Sequence, residues 1–276
     1  MNRLLGASLM MIGILLAAAI SAPWLAPYDP LMQNLAGALD PPSWRHLFGA
    51  DELGRDIFSR ILYGTRVVFL VVIWSAAIPL CIGVPMGVIA GFNEKAGRVI
   101  NFASETLLPF PELLLAILIT SLLGPGLDHA LLALSVVFTP INVRLIRSEV
   151  IRVRRSQFVL RLEAAGISPV RIMSRHLGLH VIGAVLVQSG FNIASGIVAT
   201  AGLSYLGLGQ QPPQPEWGLM LASSTVYFPR HPALFLASTV AIIFASLAFG
   251  LMSESLRGLF ASDRESTWNP FLRSGI

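Results

Sequence analysis

Between Arg66 and Glu94 the chain carries no charged residue, and the same holds between Arg3 and Asp29 and between Arg230 and Glu254. Each run reaches or exceeds the roughly 20 apolar residues that carry a helix across a bilayer. In hydrocarbon the backbone must satisfy its own hydrogen bonds, which leaves only helices or a closed barrel. The runs are continuously apolar rather than alternating. The expected fold is therefore an all-α integral membrane protein with six transmembrane helices. Charged residues make up 12% of the chain, against about a quarter in soluble domains.

The first expected span runs from Leu4 to about Leu25. Its end, Ser21-Ala22-Pro23, loosely resembles a signal-peptide cleavage site, but the run is long for one and is read as a retained helix. Residues 26–66 are polar and proline-bearing, and Ile57, Phe58, Ile61 and Leu62 predict a short amphipathic helix at the membrane interface. The second span, Val67 to Gly91, carries Gly83, Gly87 and Gly91 at a spacing of four, a small-residue stripe for close helix packing. Pro79 and Pro85 are expected to kink it. The third, Val99 to Leu123, holds Glu105 and Glu112 with Pro109 and Pro111 between them. The fourth, about Leu127 to Leu145, has the shortest uncharged core and is short enough for a buried or re-entrant segment. The fifth spans Val181 to Leu206 and the sixth Ala233 to Met252. This divides the chain into residues 1–66, a membrane domain 67–253 containing an arginine-rich segment 146–176, and a polar tail 254–276.

Lysine and arginine set the orientation. One side of the membrane collects Arg3, Lys95, Arg98, the arginines between Arg144 and Arg175, Arg257, Arg264 and Arg273. The other holds only Arg45, Arg55, Arg60, Arg66 and Arg230. Both termini and segment 146–176 are thus expected in the cytoplasm. The basic residues follow topology, so nucleic acid is not the partner that the net charge of +4 calls to mind.

Several chemistries lack their residues. Lys95, the only lysine, follows Glu94 and not the glycine of a phosphate-binding loop. Gly202-Leu-Ser-Tyr-Leu206 lacks the closing glycine of a nucleophile elbow. His176 and His180 stand four apart without a companion ligand, so no metal site and no cofactor is expected in this chain. Cys81 is the single cysteine. Only Glu105 and Glu112 lie at a depth where coupling ions bind. An ion-coupled carrier and a scaffold are weaker readings than a non-enzymatic transport subunit energised by another chain. Segment 146–176, with Phe158, Val159, Leu162, Ile167 and Ile172 among its arginines, reads as a docking surface, with contact to anionic lipid as the plainer alternative. Gln188, Asn192 and Ser195 are polar candidates for a pore lining.

Leu47-Phe-Gly-Ala-Asp-Glu-Leu-Gly-Arg-Asp56, Ala201-Gly-Leu-Ser-Tyr-Leu-Gly-Leu-Gly209 and Gln211-Pro-Pro-Gln-Pro-Glu-Trp-Gly218 together resemble the dipeptide, oligopeptide and nickel permeases of bacterial ABC importers, specifically their C-type subunits. The resemblance implies a type I importer fold with a five-helix core and one added N-terminal helix, in the bacterial inner membrane. It implies a partner permease, two ATP-binding subunits that hold the ATP, and a periplasmic or extracellular solute-binding protein. The cargo would be short peptides or, in some branches, nickel or a metal chelate. Residues 157–176 are similar to the family's coupling segment, which assigns ATPase contact to Gln157, Phe158, Val159, Leu160, Glu163, Gly166, Ile167, Ser168, Arg171 and His176. One departure stands out. Counting back from Gly166 places Leu160-Arg161-Leu162 where the family has Glu-Ala-Ala, so the literal Glu163-Ala164-Ala165 is out of register, and the later family proline falls on Leu179.

Overall fold

The computed structural model describes residues 3–168 and 178–268, and among them every regular element is a helix. In chain order these are α1 (Arg3–Leu25), a 3-10 turn (Leu35–Gly37), α2 (Ile57–Phe92), α3 (Glu94–Leu107), α4 (Glu112–Leu123) and α5 (Leu127–Arg154). A short α6 (Gln157–Ala164) follows, then α7 (Gly178–Tyr205), α8 (Trp217–Ser224), a 3-10 turn (Thr225–Tyr227) and α9 (Pro232–Trp268). Helices α1, α2, α5, α7 and α9 are each long and apolar enough to cross a membrane, and α3 and α4 together form a sixth candidate bent by 92°.

The glycine stripe explains how the centre is built. A Cβ on Gly83 would lie 2.8 Å from the Asn142 Cβ, on Gly87 2.7 Å from the Ile146 Cβ, and on Gly91 2.5 Å from Val150 Cγ1. A four-residue step on α2 thus matches a four-residue step on α5, which is ridge-into-groove packing along both rows. Position rises together on the two helices, so α2 and α5 run parallel. The chain between them must return across the bilayer. That makes the bent α3–α4 pair a crossing and gives six spans.

Four expectations change. The third span is broken at residues 108–111, where Pro109 and Pro111 remove two donors and Pro111 disfavours helical geometry at the residue before it. The fourth span is a continuous helix and neither short nor re-entrant. Its apolar window has the lowest mean hydropathy of the five unbroken spans, 1.6, and is the most enclosed, 61% buried. Enclosure by other helices replaces lipid contact, so it tolerates Ser135 and Asn142, whose side chains donate to the carbonyls of Leu131 and Phe138. The interfacial helix expected near 56–66 is instead the start of α2, with Ile57, Ser59 and Arg60 buried. At 36 residues α2 is about 54 Å long, well beyond the roughly 30 Å hydrocarbon core, so its first turns stand outside the membrane. Finally, the polar residues after Ser253 continue α9, and Ser253 and Ser255 are buried.

Antiparallel packing of α7 and α9 completes the core. Ser246 Oγ donates to the Ala194 carbonyl at 3.2 Å, and a Cβ on Gly190 would meet the Ser253 Cβ at 2.7 Å.

Candidate functional site

Two ends of the bundle carry polar structure. At the end opposite α6, residues 26–56 fold over the start of α2. Asp56 caps α2 by accepting from the Ser59 N–H at 2.7 Å, and its other oxygen meets His46 Nδ1 at 2.9 Å. Asp51 accepts from Arg55 Nε at 2.7 Å and lies 3.5 Å from Arg60 Nε. Arg60 in turn donates to the Pro30 carbonyl at 2.9 Å and the Pro213 carbonyl at 3.4 Å. One buried guanidinium therefore ties the N-terminal loop to the proline-rich loop after α7. Glu216 caps α8, accepting from the Gly218 N–H at 2.9 Å and the Leu219 N–H at 2.8 Å. Burial pushes its carboxyl above the ordinary carboxylate value, partly offset by those hydrogen bonds.

At the other end α5 leads straight into α6. The Arg155 N–H closes α5 onto the Ile151 and Val153 carbonyls, and the Ser156 hydroxyl accepts from the Val159 N–H at 3.5 Å at the start of α6. The Ala165 N–H bonds the Arg161 carbonyl at 3.0 Å, and Gly166 follows at φ +79°, with no described residue within 4 Å of a Cβ built there. A left-handed glycine just past a helix is a common stop signal, because no side chain opposes that backbone.

Of the residues assigned to coupling, Gln157, Gly166 and Ser168 are exposed and Ile167 half-buried. Val159 is 1% exposed, so it anchors α6 to its own chain and offers no surface to a partner. Phe158, Leu160 and Glu163 lie on α6, but their side chains fall outside those described. Arg171 and His176 lie outside the described residues altogether. On α7, Gln188 donates to Asn192 at 2.9 Å, and the buried Asn192 Nδ2 has no partner among the described residues. Ser195 shares their helical spacing and is exposed, while Gln188 is half-buried.

Sequence reasoning missed Arg60, Glu216 and Trp217 as the joints of the outer cap. For Glu216 and Trp217 a signal was present, a charged and an aromatic residue directly after a run of prolines, but nothing in it says that Pro30 and Pro213 meet on Arg60.

A six-span helical bundle with a short helix held at one membrane surface and a folded cap at the other is the architecture of a transport permease. Residues 83–265 match the family described as binding-protein-dependent transport system inner membrane component, and residues 1–42 match the N-terminal transmembrane domain of oligopeptide transport permease C. A di/tripeptide transport system permease protein of Pseudomonas aeruginosa is 38% identical over 260 residues, covering 92% of this chain and 86% of the relative. A dipeptide transport system permease protein of Alkalihalophilus pseudofirmus is 35% identical over 257 residues, covering 93% and 84%. A glutathione transport system permease protein of Pectobacterium atrosepticum is 36% identical over 248 residues, covering 88% and 82%. The chain belongs to the inner membrane component family of binding-protein-dependent transport systems. It is a multi-pass, non-catalytic permease subunit of a bacterial ABC importer.

Proposed function

We propose that this subunit, paired with a second permease, forms the translocation path for short peptides. Two separate ATPases would drive it, and a solute-binding protein would deliver the cargo. The observation that carries the reading is the direct run of α5, the most enclosed span, into the glycine-terminated α6. A helix packed on most sides transmits displacement because interiors are close-packed and stiff. A push on α6 therefore reaches the α2–α5 centre. Gln157, Ser168 and the surface around Gly166 form the ATPase-facing side, with Val159 as the anchor beneath it. The arginine-rich end is cytoplasmic, as the lysine and arginine bias requires, and both termini share that side. The cap joined at Arg60 faces the solute-binding protein. ATP is held by the partner subunits, and this chain needs no cofactor of its own.

Peptide cargo is favoured over nickel by the peptide and glutathione permeases among its relatives. The test is uptake by the full importer in proteoliposomes, loaded with ATP and supplied with binding protein. Radiolabelled di- and tripeptides should accumulate and stimulate ATP hydrolysis. Stimulation by nickel with no response to peptides would overturn the cargo assignment. Single cysteines at Lys95 and Gln211, in a Cys81→Ala background, should react from opposite sides of the membrane, and same-side labelling would refute the orientation.

A further inference from the structure

The ends of α2, α3 and α5 on the arginine-rich side meet around an open cleft of about 880 Å³. Helix α5 supplies Arg147, Ile151, Arg154 and Arg155, spaced so that all four fall on one helical face. The start of α3 supplies Glu94 and Arg98, and the last turn of α2 lines the cleft at Ala90 and Gly91. Four guanidiniums thus surround one carboxylate. Among the described residues, none of the four arginines takes part in an ion pair. Arg154 is oriented by the Phe92 carbonyl at 3.2 Å and lies 5.5 Å from the centre of the Phe92 ring. The buried Nε of Arg147 has no hydrogen-bond partner among the described residues. A buried guanidinium nitrogen in a cleft of net positive charge favours an anionic acceptor, because pairing offsets the desolvation cost of the donor.

Depth identifies the anion. The cleft lies at the end of the uncharged stretch of α2, between Ala90 and Glu94, and just past the uncharged core of α5. Helix α3 begins at this level, and its first turns expose Val99 and Phe102 beside Arg98. A cation next to exposed apolar residues is what a helix presents where it enters the membrane interface. At that depth the abundant anion is a phosphate diester, and the planar fork of arginine matches its paired oxygens.

We propose that this cleft binds the headgroup phosphate of an anionic phospholipid, with Arg147 and Arg154 as its principal donors and Arg98 and Arg155 at the rim. The bound headgroup bridges α3 to α5 one turn before α6, and so braces the segment that leads to the ATPase side. The assignment goes beyond the transport reading and does not depend on the cargo.

The test uses the assembled importer, purified in detergent and freed of lipid, with cardiolipin, phosphatidylglycerol and phosphatidylcholine added singly and retention read by native mass spectrometry. Cardiolipin and phosphatidylglycerol should be retained and phosphatidylcholine should not. The double variant Arg147→Gln/Arg154→Gln should lower anionic-lipid retention about tenfold or more. Arg144→Gln, an exposed arginine outside the cleft, should leave retention within about twofold. Arg147→Lys alone guards against misfolding, because it preserves the charge and should retain lipid. Equal loss in Arg144→Gln and the double variant would mean diffuse attraction and overturn the site. So would unchanged retention in the double variant. Displacement of cardiolipin by inorganic phosphate would reassign the cleft to a free anion. Lipid bound by the permease pair but expelled when the ATPases assemble would assign it to a protein carboxylate.

Discussion

The indole Nε1 of Trp217 donates to the backbone carbonyl of Ile61 across 3.1 Å, joining the proline-rich segment after α7 to the second turn of α2. The fit is close, since a Cβ on Gly64 would lie 2.7 Å from the Trp217 ring. The start of α2, just after Leu47–Asp56, and the Gln211–Gly218 segment, 153 positions apart at Arg60 and Pro213, are therefore one structural unit.

Gly64→Ala should force the Trp217 ring or α2 to shift and destabilise the subunit by about 1–3 kcal/mol, the usual range for overpacking. Trp217→Ala should cost more, about 3–5 kcal/mol, because it empties a buried aromatic site. Trp44→Ala is the control, since that ring is 99% exposed. Melting of the solubilised complex followed by fluorescence reads all three. Equal behaviour of Trp44→Ala and Trp217→Ala would refute the role of the joint.

Gly87→Leu should separate α2 from α5, because the new side chain would occupy the place of Ile146 and the Val143 carbonyl, 2.8 Å from the Cβ position. Membrane yield and complex assembly should both fall. Gly13→Leu on α1, where nothing lies within 4 Å, should assemble normally in blue native gels. The contrast separates a packing stripe from a general intolerance of bulk at glycine.

Glu216 should make stability pH-dependent. Its folded pKa is raised by burial, so the folded chain binds the proton more tightly than the unfolded chain. The stabilisation from this proton is complete below the unfolded value and is lost as pH rises through the folded one. Glu216→Gln should melt close to the parent at acidic pH and gain relative to it as pH increases. A difference between the two that stays constant across pH would rule out a titrating Glu216.

Gly166 should tolerate asparagine better than valine. Its φ of +79° suits residues that reach the left-handed region, and a β-branched side chain there is a steric outlier. No described residue crowds the position, so backbone strain is the expected defect. Gly166→Val should lower peptide uptake per ATP hydrolysed, with Gly166→Asn close to the parent. In the register set by Gly166, Leu160→Asp should impair uptake more than Glu163→Ala. The reverse order would make the literal Glu-Ala-Ala string the working contact.

Hydrophobic content and charge placement were enough to read an all-helical membrane protein of six spans, because apolar length is a local property and the bilayer imposes one solution on it. Gly83, Gly87 and Gly91 announced a close helix contact, since small residues at a spacing of four have few other uses in a membrane. Neither reading named a partner. That α5 receives the stripe, that it is the most enclosed helix despite the lowest hydropathy, and that it runs parallel to α2 were decided by packing. Burial among helices frees a segment from the need to be apolar, so hydropathy alone underrated α5. The same limit hid the broken third span. Pro79 and Pro85 lie within the continuous α2 while Pro109 and Pro111 end α3, because neighbouring helices and the spacing of the prolines, not their presence, decide whether the freed carbonyls find other partners. At the surfaces, Arg60, Trp217 and the four-arginine cleft assemble residues from distant segments, and only the tertiary fold brings those segments within hydrogen-bonding reach.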